Sequence, residues 1–113
     1  MWKILELKKK KLEMLKNFRI FLKVIKENAK SLLKDCRVYL FGSVLDEENV
    51  GGSDIDVLIV ANVPKKHMLR AELVATIEEK SGLPLYHPFD LHLIDFEELE
   101  KWKDIYKLKL EPI

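Results

Sequence analysis

The sequence predicts an α/β (α+β) fold with a small three-stranded mixed sheet flanked by helices. Three short runs rich in β-branched, aromatic and aliphatic residues predict the strands, at residues 38–41, 55–60 and 89–94. Apolar residues recur three or four positions apart before, between and after these runs, which predicts the helices. The first two strands can pair antiparallel, and the second and third form a βαβ unit with parallel strands.

Three helices are predicted from apolar periodicity and from start and stop signals. A stripe of apolar residues predicts a long basic N-terminal helix over about residues 3–34. A second helix is predicted over residues 65–80 and a third over residues 96–108. Asp95 and Glu98 stand three residues apart at the start of the third helix, which is the pattern of an N-cap with a capping box.

A single domain over residues 1–113 is expected from the length of the chain. A chain of 113 residues can bury roughly two thirds of its unfolded surface, but it is too short for a second domain of comparable size. The single Cys36 cannot form an internal disulfide. Lysines interrupt every apolar cluster near the N-terminus, and no apolar run reaches the roughly 18 residues of a membrane helix. The sequence therefore predicts a cytoplasmic protein without a membrane partner.

The net charge of +1 conceals a strong asymmetry along the chain. Residues 1–37 carry twelve Lys or Arg against four acids, a balance of +8, and the remaining residues carry eight against fifteen, a balance of −7. Four consecutive lysines at residues 8–11 fill a whole helical turn, so we expect the start of the chain to project from the core or to contact a partner. A solvated helix face and a contact with nucleic acid or an acidic protein are both open interpretations.

The most specific motif is Gly42-Ser43, followed after ten residues by Asp54 and Asp56 at the start of an apolar strand. Side chains alternate along a strand, so Asp54 and Asp56 share one face with their Cβ atoms about 7 Å apart. Two such carboxylates either share a proton or hold a hard cation, typically Mg²⁺ with a polyphosphate. Gly42 permits a sharp turn close to a ligand, and the Ser43 hydroxyl and nearby N–H groups can donate to phosphate oxygens.

This motif resembles the signature of the DNA polymerase beta-like nucleotidyltransferase superfamily. The residues that carry the resemblance are 40–43 and 53–57, and it extends over roughly residues 30–95. The chain is most similar to the minimal nucleotidyltransferases (MNT) that are often paired with HEPN toxins in prokaryotes. The resemblance implies the polymerase beta-like fold, a nucleoside triphosphate bound at Gly42 and Ser43, and a two-ion Mg²⁺ site. It further implies that Asp54, Asp56 and a third carboxylate from a later strand hold the metal.

Asp90 is the predicted third carboxylate, with catalytic and metal-binding roles alongside Asp54 and Asp56. It interrupts the apolar run at residues 89–94, which follows a predicted helix. Strand alternation places Asp90 and His92 on the same face, whereas Asp95 points to the opposite face and fits the helix cap. His92 could line the site as a proton acceptor or a phosphate contact, but a hydrogen-bonded, half-buried structural histidine is the favoured interpretation.

The resemblance implies Mg²⁺-dependent transfer of a nucleoside monophosphate, AMP from ATP, to an acceptor hydroxyl. If the likeness to the toxin-paired members holds, the acceptor is a HEPN toxin and the chain is an antitoxin. Transfer to tRNA or to a small molecule is one alternative, supported by the basic first helix. A non-catalytic module that binds nucleotide or a partner is another, because Val44-Leu45-Asp46 stand where many members carry a small residue and an Arg.

Activity is expected to need a second surface, because the chain supplies no obvious pocket for an acceptor. A HEPN-family protein or a second copy of the chain could provide it. The apolar residues Ile4 and Leu5 near the N-terminus are unassigned, and so is the alternating stretch after Tyr106. That alternation suits either an added strand or a docking tail.

Overall fold

The computed structural model describes residues 2–41, 55–106 and 109–113. Within these ranges the chain forms four helices and four strands. In chain order they are α1 Trp2–Lys16, α2 Phe18–Leu32, β1 Arg37–Phe41, β2 Ile55–Val60, α3 His67–Lys80, β3 Phe89–Ile94, α4 Phe96–Tyr106 and β4 Leu110–Pro112. None of the described helices is long and apolar enough to cross a membrane.

The four strands form one mixed sheet in the order β3-β2-β1-β4. β1 pairs antiparallel with β2, and β2 pairs parallel with β3 across the connection that contains α3. Both pairings were predicted and are confirmed. The register places Phe41 opposite Asp56, and Asp56 opposite Asp90.

The prediction of a three-stranded sheet is wrong, because β4 adds a fourth strand at the edge beside β1. β4 spans three residues and contains Pro112, so its sequence pattern is too short to identify it as a strand. Proline lacks a backbone donor and is tolerated in an edge strand, where one side has no partner. The Ile113 N–H donates to the Val38 carbonyl at 3.0 Å. Of the two interpretations of the C-terminal alternation, the added strand is the one observed.

The helix predicted over residues 3–34 is instead two helices, α1 and α2, that meet at Asn17. The side-chain amide and the backbone N–H of Asn17 both donate to the Glu13 carbonyl, at 3.2 and 3.1 Å. Asparagine is unfavourable inside helices because its side chain competes for backbone partners. The second helix ends at Leu32, since Leu33 has extended φ and ψ angles of −121° and 106°. Apolar periodicity alone does not detect either interruption.

Both faces of the sheet are covered, so β2 is buried on both sides. Val57 and Ile59 face α2 and α3, whereas Leu58 and Val60 face α4, and all four are fully buried. The larger cluster includes Met14, Leu22, Ile25, Ala29, Val38, Leu40, Ile77, Phe89 and Leu93. The smaller one contains Phe41, Ile94 and Leu99, with Tyr39, Trp102 and Leu110 packed against it.

Cys36 precedes β1 and belongs to the larger cluster, where its side chain is 4% exposed. Burial raises the pKa of its thiol above the usual value, against the opposing effect of the nearby Lys30 and Lys26 charges. It is a free cysteine, as expected from its being the single one.

The predicted capping box at the start of α4 is confirmed and belongs to an ionic network. The Glu98 backbone N–H donates to Asp95 Oδ1 at 2.7 Å, and the Asp95 backbone N–H donates to Glu98 Oε1 at 3.1 Å. Arg70 of α3 pairs with both carboxylates, and Lys65 Nζ lies 3.0 Å from Asp95 Oδ2. Burial opposes ionisation of Asp95, but the Glu98 N–H and the Lys65 ammonium outweigh it and lower its pKa from 3.8 to about 2.

Asp95→Ala should destabilise the fold by about 1–2 kcal/mol, because it removes the N-cap of α4 and leaves Arg70 with one carboxylate partner fewer. Urea unfolding at neutral pH measures this difference. Asp104→Ala is the matched control, since Asp104 is an exposed carboxylate of the same helix. It should change the free energy of unfolding by less than about 0.5 kcal/mol.

Asp95→Asn separates the cap from the charge, because asparagine caps helices about as well as aspartate. The folded-state pKa of Asp95 is depressed, so its charge contributes stability above pH 3.8, and this contribution is lost as the pH falls toward about 2. The stability difference between the wild type and Asp95→Asn should therefore shrink over that interval. A difference that stays constant with pH would contradict the ionic role of Asp95.

Candidate active site

Asp56 and Asp90 project from the same face of the sheet, next to each other on parallel strands. The register places them directly opposite, and alternation along β3 brings His92 to that face as well. This is the face that α4 covers further along, through Leu58, Val60 and Ile94. The two carboxylates lie near the starts of β2 and β3, beside the end of β1 at Phe41, so they escape the burial that their strands otherwise have.

His92 lies between the two carboxylates. Its Nε2 atom is 3.3 Å from Asp56 Oδ1 and 3.2 Å from Asp90 Oδ2. Asp56 is 28% exposed, His92 31% and Asp90 54%, so the cluster is anchored in the sheet on one side and open to solvent on the other. The imidazole can donate to either carboxylate, which offsets part of the repulsion between two like charges.

Two aromatic side chains hold the His92 ring in place. The ring meets Phe41 of β1 edge to face at a centroid distance of 5.3 Å and Trp102 of α4 at 6.1 Å. Phe41 and Trp102 also contact each other, with centroids 6.4 Å apart. Edge-to-face packing of this kind fixes ring orientation. Residues from three separate elements therefore position one nitrogen atom at the carboxylate pair.

The donor atoms of Asp56, Asp90 and His92 all lie within 4.8 Å of one another. Among the residues that the structure describes, they form the only such group of three metal-ligating side chains. Carboxylate oxygens are the ligands of hard cations such as Mg²⁺, and imidazole nitrogen is a common ligand of transition metals. The chemistry of this donor set fits one divalent cation.

The structure thus brings together Asp56 and Asp90 of the predicted site residues. Gly42, Ser43 and Asp54 lie outside the described residues, so their predicted roles stay predictions. In sequence Gly42 follows β1 directly and Asp54 precedes β2 directly.

His92 is hydrogen-bonded and half-buried, as the favoured interpretation expected, and its hydrogen-bond partner is a carboxylate of the cluster. Its position two residues after Asp90 on one strand face was the available signal. The sequence does not indicate that Phe41 and Trp102 support the site, because aromatic residues at such positions of a strand or helix are also typical of a hydrophobic core. Asp95 lies at the cap of α4, as predicted.

Comparisons with known proteins give the family. The family model described as "Nucleotidyltransferase domain" matches residues 21–111. The chain belongs to this nucleotidyltransferase domain family. It is also similar to a crystal structure of a protein assigned as a nucleotidyltransferase, with 32% sequence identity and a TM-score of 0.62, covering 80% of this chain and 95% of the other. Among curated proteins no sequence match is found.

Membership in the nucleotidyltransferase domain family supports nucleotidyl transfer as the general activity and a nucleotide as the substrate. The matched residues run from the first turn of α2 into β4, so they include β1, β2, β3 and the carboxylate cluster. α1 lies outside the match. Asp56 and Asp90 therefore lie within the part of the chain that matches the nucleotidyltransferase domain.

If the cluster binds a cation, saturating Mg²⁺ should raise the melting temperature of the wild type but not of Asp56→Asn. A ligand at a hundredfold its Kd contributes about 2.7 kcal/mol to the folded state. Differential scanning fluorimetry with and without the ion measures the shift. Asp104→Asn, which removes an exposed carboxylate of α4, should keep the wild-type shift. A full shift in Asp56→Asn would mean that the cation binds elsewhere.

Proposed function

We propose that this nucleotidyltransferase domain transfers a nucleoside monophosphate, AMP from ATP, to a hydroxyl group of a HEPN-family partner protein in a Mg²⁺-dependent reaction. In this proposal the chain is the antitoxin of a HEPN/MNT pair. The observation that carries the transfer reaction is the convergence of Asp56 and Asp90 on neighbouring parallel strands in a member of the nucleotidyltransferase domain family. The likeness to the MNT signature supports the identity of the partner.

Asp56 and Asp90 would hold the divalent cation, with Asp54 as the further ligand that the motif predicts. The cation when bound offsets the negative charge of the phosphates. In the proposed reaction Asp90, the more exposed of the two carboxylates at 54%, accepts the proton of the attacking hydroxyl. The hydroxyl oxygen bonds to the α-phosphorus, the bond from that phosphorus to the pyrophosphate oxygen breaks, and pyrophosphate leaves. Gly42 and Ser43 are proposed to hold the distal phosphates.

A groove beside α1 supports a protein partner. Its lining consists of the apolar side chains Ile4, Leu7 and Tyr86 together with Lys8 and Lys11, and its volume is about 380 Å³. Ile4 is 57% exposed and Tyr86 60%. Apolar side chains and lysines that line one groove fit an acidic partner surface that carries an apolar anchor. The α1 residues of the groove lie outside the family match, and Tyr86 lies inside it.

Transfer to tRNA is the second candidate, and a basic surface on α2 supports it. Lys26 and Lys30 line a cavity of about 280 Å³ together with Arg37. Lys23 lines a neighbouring cavity with the same two lysines. A cluster of this kind can contact several phosphates of a nucleic acid backbone. Tyr39 also lines the first of these cavities. We rank this candidate second, because the likeness to the MNT signature favours a protein partner.

Asp90→Asn should leave ATP binding largely in place and lower the rate of AMP transfer at least about a hundredfold, because the general base is lost. Ser43→Ala should instead weaken ATP binding by about 1 kcal/mol, because it removes one phosphate donor. Calorimetry of Mg²⁺-ATP binding and transfer of radiolabelled AMP separate the two effects. Asp104→Asn serves as the control for charge. An equal loss of binding in both variants would contradict the role of Asp90.

A cognate HEPN protein should accept label from α-labelled ATP, whereas bulk tRNA should not. Ile4→Asp should lower labelling of the partner about tenfold or more, because it puts a charge among the apolar side chains of the groove. Met68→Asp is the matched control, since Met68 is an apolar residue of α3 that is 80% exposed. Labelling of tRNA would favour the second candidate, and binding of Mg²⁺-ATP without any labelled acceptor would favour a non-catalytic module.

A further inference from the structure

We infer that His92 is a ligand of the catalytic cation, so that this site is a mixed oxygen and nitrogen site that prefers Mn²⁺ to Mg²⁺. The inference rests on the proposed function, because it assumes that Asp56 and Asp90 hold a divalent cation. It goes beyond that function by assigning a ligand of different chemistry and a cation preference that follows from it.

The geometry at Nε2 carries the inference. That single atom lies 3.2–3.3 Å from one carboxylate oxygen of Asp56 and one of Asp90, on two different strands. All three donor atoms fit within 4.8 Å of one another, which is the spacing of ligands around one ion. The nitrogen that hydrogen-bonds to Asp56 Oδ1 in the structure is thus near enough to both carboxylates to ligate the same ion.

The packing of the His92 ring agrees with a metal ligand whose orientation is fixed before the cation binds. Phe41 and Trp102 contact the ring edge to face and leave the Nε2 atom directed at the carboxylates. The ring is 31% exposed, so solvent and a cation can reach the site.

His87 offers the contrast of a structural histidine in the same chain. Its side chain is only 9% exposed, its Nδ1 accepts the Phe89 backbone N–H at 3.1 Å, and its Nε2 pairs with Glu78. Both nitrogens of His87 are thus used to hold the segment before β3. The contacts recorded for His92 Nε2 are instead the two carboxylates of the candidate site.

The presence of a nitrogen ligand changes which cation the site favours. Mg²⁺ is a hard ion that takes oxygen ligands and keeps several waters. Mn²⁺ has the same charge and also suits carboxylate and water ligands. As a first-row transition ion it accepts an imidazole nitrogen ligand more readily than Mg²⁺ does. The two carboxylates bind either ion, and His92 adds to the affinity for Mn²⁺. In this way a single side chain sets the order of affinity of the site for the two cations.

Calorimetric titration of the full chain with Mn²⁺ and with Mg²⁺ tests the inference. Removal of a residue that only orients a ligand costs about 10- to 100-fold in metal affinity, so loss of a ligand should cost at least about tenfold. We expect His92→Ala to weaken Mn²⁺ binding by at least that factor and to change Mg²⁺ binding much less. His67→Ala is the matched control, because His67 is an exposed imidazole at the start of α3. It should leave both affinities unchanged.

Pulsed electron paramagnetic resonance of bound Mn²⁺ gives a second readout that a purely structural role would not affect. Coupling to a ¹⁴N nucleus should be present in the wild type and in His67→Ala and absent in His92→Ala. His92→Gln offers an amide oxygen near the Nε2 position, so it should keep Mg²⁺ binding while losing the nitrogen coupling. His92→Gln also replaces His92→Ala in both experiments if His92→Ala fails to fold.

Three outcomes would overturn the inference. These are an equal loss of Mn²⁺ and Mg²⁺ affinity in His92→Ala, unchanged affinities in that variant, and the absence of nitrogen coupling in the wild type. In each case binding that still depends on Asp56 would leave the proposed function intact. If neither cation binds, or if Asp56→Asn has no effect on binding, the proposed metal site itself is wrong.

Discussion

The parallel pairing of β2 with β3 is the constraint on which the rest of the site depends. β2 is buried on both faces, and a slip of one residue in its pairing would turn Val57 and Ile59 toward the wrong cluster. The core therefore fixes the register, and the register places Asp56 opposite Asp90. The two carboxylates do not attract each other. They are neighbours because the burial of apolar residues further along the same strands fixes the register.

Holding two acids side by side costs stability, since like charges directly opposite on a sheet repel. Burial of the other, apolar residues of β2 offsets this loss of stability. The His92 imidazole, which lies between the carboxylates, offsets part of the repulsion itself. A residue pair that is unfavourable for folding alone but suited to binding a cation is typical of a functional site. The opposite arrangement is found at Asp95, where Arg70 and Lys65 surround a carboxylate and tie α3 to α4.

Much of this arrangement could be predicted from the sequence. The strands at 38–41, 55–60 and 89–94 are long and apolar enough to be recognised, and alternation alone puts Asp56 and Asp90 on defined faces. The break at Asn17 could not be predicted from periodicity, because it arises from competition for one carbonyl. β4 is too short to carry a pattern.

The contact of His92 with Asp56 could not be predicted from the sequence, for a different physical reason. Asp56 and His92 are 36 residues apart, and their contact exists only because β2 and β3 are neighbours in one particular register. The aromatic support from Phe41 and Trp102 likewise joins three elements that meet only in the folded chain. Alternation along one strand predicts the face on which a residue lies. The distance between residues on different strands can be read only from the tertiary structure.

Cys36 can report when the larger core cluster opens, because it is a free cysteine buried in that cluster. Thiol reagents attack the thiolate, and here burial both shields the sulfur and disfavours its ionisation. While the sheet is closed, Cys36 should be inert toward alkylation, and each opening of the segment before β1 exposes it. The rate of modification therefore measures the local opening equilibrium of the strand that leads to the site. The protein carries this probe without any engineered label.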